Sequence, residues 1–219
     1  MSLTAVEICA NALVRLGAQP IQSFTDGTDV ATFCNTIYTQ KKKYVLSSYP
    51  WRFSMKFIQL SRNTTAPAIK WTYQYTLPAD RVQGGFPEVY TSSSVGAQPI
   101  RAHEIVGNKL MTNESTIYVK YQYNVDESLW AEYFTELMIN IMKVELAYLV
   151  TNNTQLYQEL KLEVYGTPSE GGFGGLVNIT RFLDSRDNPN TYITDFSLTN
   201  ARVCGTGYDW GINYTVDMS

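Results

Sequence analysis

The chain has 219 residues, of which 44% are apolar and 17% charged, with a formal net charge of −3. That length suits one domain with an appendage, and the apolar share is enough for a buried core. The near-neutral balance excludes a whole-protein field drawing it to nucleic acid, and no apolar run approaches the ~18 residues of a membrane span. The N-terminus carries no basic, apolar, small-residue leader pattern. Cys9, Cys34 and Cys204 are odd in number and lack the close Cys or His spacing of a zinc site. Reduced, buried thiols in a protein that folds in a reducing cytoplasm are therefore expected.

A first helix is expected over residues 4–16, burying Ala5, Ile8, Cys9, Ala12, Leu13 and Leu16. Thr4 and Glu7 have capping-box spacing, and Gly17 supplies the left-handed stop. A second helix is expected over 28–48, capped by Thr28, burying Val30, Phe33, Cys34, Ile37 and Val45, and ended by Pro50.

Residues 53–123 read as a β insertion. Phe53, Met55 and Phe57 alternate with Ser54 and Lys56, and the alternation from Ile69 to Tyr75 is ended by Leu77-Pro78-Ala79-Asp80. Shorter strands follow around Val89-Tyr90, Pro99–Ile105, Lys109–Met111 and Ile117–Tyr123, with Gly107-Asn108 as a two-residue hairpin loop. Short connections predict a small antiparallel meander. A third helix is expected over 126–151, with Trp130, Phe134, Leu137 and Ile141 on a face so broad that its own bundle or a neighbouring subunit must cover it. Glu132, Glu136, Asn140 and Lys143 leave a narrow polar stripe. A fourth helix is expected over 154–165, capped by Asn153 or Thr154 and stopped by Gly166 and Pro168.

The fold class expected is thus α+β: a four-helix bundle with an inserted small antiparallel β-meander, together forming a body over 1–166, and an extended tail over 167–219. Gly171-Gly172-Phe173-Gly174-Gly175 reads as a flexible joint. Residues 167–219 hold Arg181, Arg186 and Arg202 against Glu170, Asp184, Asp187, Asp195, Asp209 and Asp217, so this last quarter carries the whole net charge. Its scattered aromatics, Phe182, Tyr192, Phe196 and Trp210 among them, suit a segment that orders against a partner surface.

Chemistry is scarce. The sole histidine, His103, stands beside Glu104, and Glu132 and Glu136 lie one helical turn apart. Either pair has the residue types for acid–base work, but a solvent-facing strand histidine and the wet stripe of a helix account for them. The glycine run lacks the Lys-Ser/Thr of a phosphate loop and follows a helix. Lys41-Lys42-Lys43 could touch phosphates, although a helix end usually carries such charges as a solvated face. No catalytic, cofactor or metal site is predicted, and no enzyme.

The order of the short motifs is more informative. Cys9-Ala10-Asn11-Ala12-Leu13 is followed by Arg15-Leu16-Gly17-Ala18-Gln19-Pro20-Ile21, then Asp29, Ala31, Cys34-Asn35, Tyr38, and Pro50-Trp51 with Phe53. Tyr73, Tyr75, Leu77-Pro78-Ala79-Asp80 and the long helix with Trp130 complete the series over residues 1–165. This succession resembles the tail tubular protein A, or head-to-tail adaptor, family of short-tailed bacteriophages. The resemblance implies a structural virion protein, assembled in the host cytoplasm, that forms a ring of about twelve subunits between the portal protein and the tail nozzle protein. DNA would pass through the ring without sequence-specific binding, with no membrane involved. The C-terminal segment would dock on the portal, with Phe182, Tyr192, Phe196 and Trp210 as anchors. The fourth helix departs from the family, being Tyr- and Leu-rich where relatives are Ala-rich and charged. The alternatives are another tail-completion or nozzle-side structural protein and, last, a hydrolase using Glu104, Glu132 or Glu136.

Overall fold

Thr4 and Glu7 cap the first helix reciprocally in the computed structural model of the chain, which describes residues 3–186 apart from 69, 83, 86, 95, 172 and 173. The Thr4 amide donates to Glu7 Oε2 at 2.7 Å and the Glu7 amide to Thr4 Oγ1 at 3.3 Å, satisfying two donors that a helix start leaves free. Helix α1 (Ala5–Arg15) buries Ile8, Cys9, Ala12 and Leu13. Helix α2 (Asp29–Ser47) starts where Thr28 Oγ1 accepts from the Ala31 amide at 3.2 Å. Its deepest residues are Ala31, Cys34, Tyr38, Val45 and Leu46, while Val30, Phe33 and Ile37 are only half-buried against the core. The buried stripe is thus rotated toward Tyr38, whose hydroxyl donates to Glu127 Oε1 at 2.9 Å.

The described chain is mixed α+β, with five helices and two three-stranded antiparallel sheets. The insertion holds β1 (Met55–Leu60), β2 (Tyr73–Thr76), β3 (Glu88–Tyr90), β4 (His103–Val106), β5 (Lys109–Thr112) and β6 (Ile117–Gln122). It is not a meander. The strand orders are β1-β6-β3 and β2-β5-β4, so β4-β5 is the only pair that is consecutive in sequence among the described strands. That pair is the expected hairpin, with Val106 opposite Lys109 and Gly107 at φ +59°. The chain alternates between sheets because both bury one shared cluster, including Leu60, Tyr75, Val89, Leu110, Ile117 and Val119. First and last strands pair, from Met55 opposite Gln122 to Leu60 opposite Ile117, which returns the chain to the helices where it left them.

The face of β1 also differs from the alternation read in the sequence. Leu60 is buried and Ile58 half-buried, whereas Phe57 is 68% exposed. Strand periodicity marks two faces but does not say which one meets the core.

Helix α3 (Glu132–Thr151) begins six residues later than the expected 126. A 3₁₀ turn over Glu127–Leu129 precedes it, and Trp130 is extended at ψ 142°, turning its indole into the core. Helix α4 (Thr154–Tyr165) starts at Asn153, whose Oδ1 accepts from the Gln155 and Leu156 amides at 3.0 and 3.1 Å. Helix α5 (Gly175–Arg186) was not anticipated and corrects both the count of four helices and the extended tail beginning at 167. It packs on α4 and α3 and buries Val177, Thr180 and Asp184. All of these elements belong to one compact unit, Met1–Asp187.

The described glycines before α5 form a tight turn and not a loose joint. Thr167 and Glu170 make a second capping box, and the Gly174 amide donates to Tyr165 O at 3.0 Å. A Cβ on Gly166 would lie 2.7 Å from Gly174 Cα, and one on Gly175, at φ +53°, would collide with the backbone carbonyl of Glu163. Gly175→Ala is therefore expected to destabilise the protein by about 2–4 kcal/mol in urea unfolding. A change below about 0.5 kcal/mol, as at a flexible linker, would contradict this packing.

Candidate functional site

Four residues expected on the long helix, Trp130, Phe134, Leu137 and Ile141, all lie in the core of the chain itself. Phe134 is ringed by Trp51, Phe53 and Trp130 at centroid separations of 5.0, 4.8 and 4.8 Å. Helices α1, α2, α4 and α5 all contact α3, leaving Tyr148 and Leu149 near its C-terminus as its exposed large apolar residues among those described.

Of the expected docking anchors, Phe182 stands on α5 with 63% of its surface exposed, one turn from the exposed Ile179. Tyr192, Phe196 and Trp210 lie outside the described residues, as does Cys204. The opposite side of α5 is bound to the body by polar groups. Asp184 is fully buried, accepting from the Tyr133 hydroxyl at 2.7 Å and from the Arg52 amide at 3.3 Å. Arg181 donates to the Ser48 carbonyl at 3.0 Å and lies over the Tyr49 ring at 5.3 Å. Sequence reading counted Arg181 and Asp184 only as tail charges. Val177, Thr180 and Asp184, at spacings of three and four, were the missed signal of a helix face.

The carboxylates considered for catalysis have structural partners. Glu136 takes a bidentate pair from Arg15 at 2.5 and 2.9 Å and a bond from Asn140 Nδ2 at 2.8 Å. The Arg15 hydrogen bonds outweigh burial and hold the Glu136 carboxyl below its ordinary range. Glu132 is exposed beside it. Glu104 accepts from Trp71 Nε1 at 3.0 Å and Lys70 Nζ at 3.1 Å, which lowers its carboxyl in that order. His103 pairs across the sheet with Thr112 and buries Nδ1 without a hydrogen-bond partner.

The lysine run is divided between roles. Lys41 pairs with Glu145 at 2.7 Å, and Lys42 with Glu127 at 3.0 Å. Glu127 also accepts from the Tyr38 hydroxyl at 2.9 Å, and Lys42 lies 5.4 Å from the Trp130 ring centre. These contacts pin α2 to the segment entering α3. Lys43 is exposed beside Tyr44, Ser47 and Arg81, in a hollow of about 600 Å³ between α2 and the insertion.

The outer face of sheet β1-β6-β3 forms a second concavity, of about 570 Å³, lined by Phe57, Tyr90, Tyr118 and a serine loop. Glu88 accepts from Tyr90 at 2.6 Å and from Lys120 at 3.1 Å. Burial alone would raise the Glu88 carboxyl, but these bonds and the Lys120 charge bring it below its ordinary value. Burial, the bond to Glu88 and its charge push the Tyr90 phenol up to about 12.

Cys9 and Cys34 are buried free thiols in the helical core. Among the described residues no group of three or more His, Cys, Asp or Glu could hold a metal ion. None of the described helices is long and apolar enough to cross a membrane. No protein-family model matches the chain, and no curated protein matches it either.

Burial raises the Glu127 carboxyl, but the bond from its own backbone amide, then Lys42 and Tyr38, bring the net below the ordinary value of about 4.3. Its stabilisation is present above that value and is lost as pH falls through the lower, folded-state value. Glu127→Gln should lower stability by about 1–2 kcal/mol at neutral pH, with the deficit shrinking under acid. Unfolding midpoints across pH 3–7 check this; a deficit independent of pH would contradict the pairing.

Proposed function

We propose that the chain is a head-to-tail adaptor of a short-tailed bacteriophage, a structural ring subunit between portal and tail nozzle. The observation that carries this reading is the succession of motifs from Cys9-Ala10-Asn11 through Pro50-Trp51 to Leu77-Pro78-Ala79-Asp80 and Trp130. The order of elements supports it: two helices, an antiparallel insertion, then further helices. Several of those motif residues have definite physical work, which explains their presence together. Cys9, Ala12, Leu13, Ala31, Cys34, Tyr38 and Trp51 are all core residues, and Asp80 takes bonds from Lys56 and Tyr121 in the insertion.

A channel subunit does not require a basic surface, since tight phosphate binding would retard the genome. Commitment of Lys41, Lys42, Lys56 and Lys120 to internal ion pairs suits that requirement. The exposed Ile179 and Phe182 of α5, with Tyr148 and Leu149 of α3, supply apolar area of the kind a neighbouring subunit or the portal would cover. Portal docking by the C-terminal segment remains the expected division of labour, with the segment now starting after Asp187 because α5 belongs to the body.

Co-sedimentation with purified portal rings tests this. The full chain should move with the portal, and a 1–187 truncation should keep its thermal unfolding transition but lose portal binding. Equal binding by both proteins would overturn the docking assignment, and no binding by the full chain would overturn the adaptor reading itself.

A further inference from the structure

We propose that the hollow between the C-terminal half of α2 and the β insertion is a phosphate-binding site, with Lys43 and Arg81 as its cationic contacts. Lys43, Tyr44 and Ser47 come from α2, Asp80 and Arg81 from the turn after β2, and Asn124 from the segment that follows β6. Three chain segments thus converge on a concavity of about 600 Å³, roomy enough for a phosphate carried on a larger molecule.

The distribution of charge carries the assignment. Arg15, Lys41, Lys42, Lys56, Lys70, Lys120 and Lys143 have carboxylate partners. Arg62 and Lys161 lie over tyrosine rings, and Lys109 donates to Thr76. Lys43 and Arg81, like the exposed Arg52, Arg101 and Arg186, have neither an ion pair nor a ring partner among the described residues; of these five, Lys43 and Arg81 line the same hollow. The carboxylate in that wall does not cancel them. Asp80 Oδ2 accepts from Lys56 at 3.1 Å and Oδ1 from the Tyr121 hydroxyl at 3.0 Å, so its charge is already balanced. The site therefore holds two unbalanced positive charges in a concave wall, where the field on an anion is concentrated.

The donor types favour phosphate among anions. A guanidinium presents a planar fork suited to two oxygens of one phosphate, while an ammonium acts as a point charge on a third. The Asn124 side-chain amide has no hydrogen bond among the described residues and borders the same space. The phosphate can come from a free phosphate compound or from a nucleic-acid backbone; both present the same oxygens. This assignment does not rest on the adaptor reading, which requires any contact with passing DNA to be weak and salt-sensitive.

Backbone-amide NMR of the full chain, titrated with inorganic phosphate and separately with a mixed-sequence DNA duplex, tests the site. Saturable shifts confined to residues 43–47, 79–82 and 124 are expected. Lys43→Gln should weaken phosphate binding at least about tenfold, and Arg81→Gln repeats the test from the opposite wall. Asp80→Asn should tighten it, because it releases Lys56 from its ion pair and leaves a third positive charge beside the hollow. Lys109→Gln, on the other sheet, should change nothing. Shifts at these residues with the duplex, weakening steeply with salt, would assign the backbone as the source; shifts with inorganic phosphate alone would assign a free phosphate group. Unsaturable or scattered shifts with both probes, or an affinity untouched by Lys43→Gln and Arg81→Gln, would overturn the site.

Discussion

The end of α2 is the constraint on which the rest of the structure depends. A helix leaves its last carbonyls without intrahelical donors, and here that end is buried, so side chains must supply them. Trp51 Nε1 donates to Val45 O at 2.8 Å, and Gln122 Nε2 donates to Leu46 O at 2.7 Å and Tyr49 O at 3.0 Å. Arg181 serves Ser48 O, and Asp184 accepts from the Arg52 amide. The donors come from the turn itself, from the last strand of the insertion and from α5. Satisfying one helix end thereby fixes where the insertion returns and where the final helix docks.

Packing around that turn follows from the same residues. Trp51 is fully buried, with Tyr49 at 4.9 Å and Phe134 at 5.0 Å, both edge-on, an arrangement that aromatic rings favour over stacked faces. Pro50 ends α2 and starts the turn that inserts Trp51, and Phe134 on α3 meets it from the other side. The insertion has its own small core, so its strands can be held together independently of the aromatic cluster. The hollow bearing Lys43 and Arg81 lies where the two cores adjoin, between α2 and the β2–β3 connection.

Much of this was legible in the residues. The Thr4/Glu7 box, the Thr28 and Asn153 caps, the Pro50 stop and the Gly107-Asn108 loop are local devices, and each forms as local chemistry dictates. Strand pairing was not legible, because pairing β1 with β6 depends on a shared core across more than fifty residues of chain, which short connections do not reveal. Helix α5 was hidden by its glycine prelude: Gly166, Gly174 and Gly175 are there for close backbone approach, and composition alone cannot distinguish that from flexibility. Its buried face includes Thr180 and Asp184, so an apolar pattern understates it. The lysine run illustrates the same limit at the surface, since three adjacent cations point to three different surroundings.

A rigid body ending with α5, in which seven lysines and arginines are held in internal ion pairs, would present apolar patches to its neighbours and leave the chain after Asp187 to engage the portal. Electron microscopy of the full chain mixed with its cognate portal ring tests this most directly. The account predicts an added layer on the portal with the portal's own symmetry and a helical body at each position. A portal ring unchanged by an excess of the protein would contradict it.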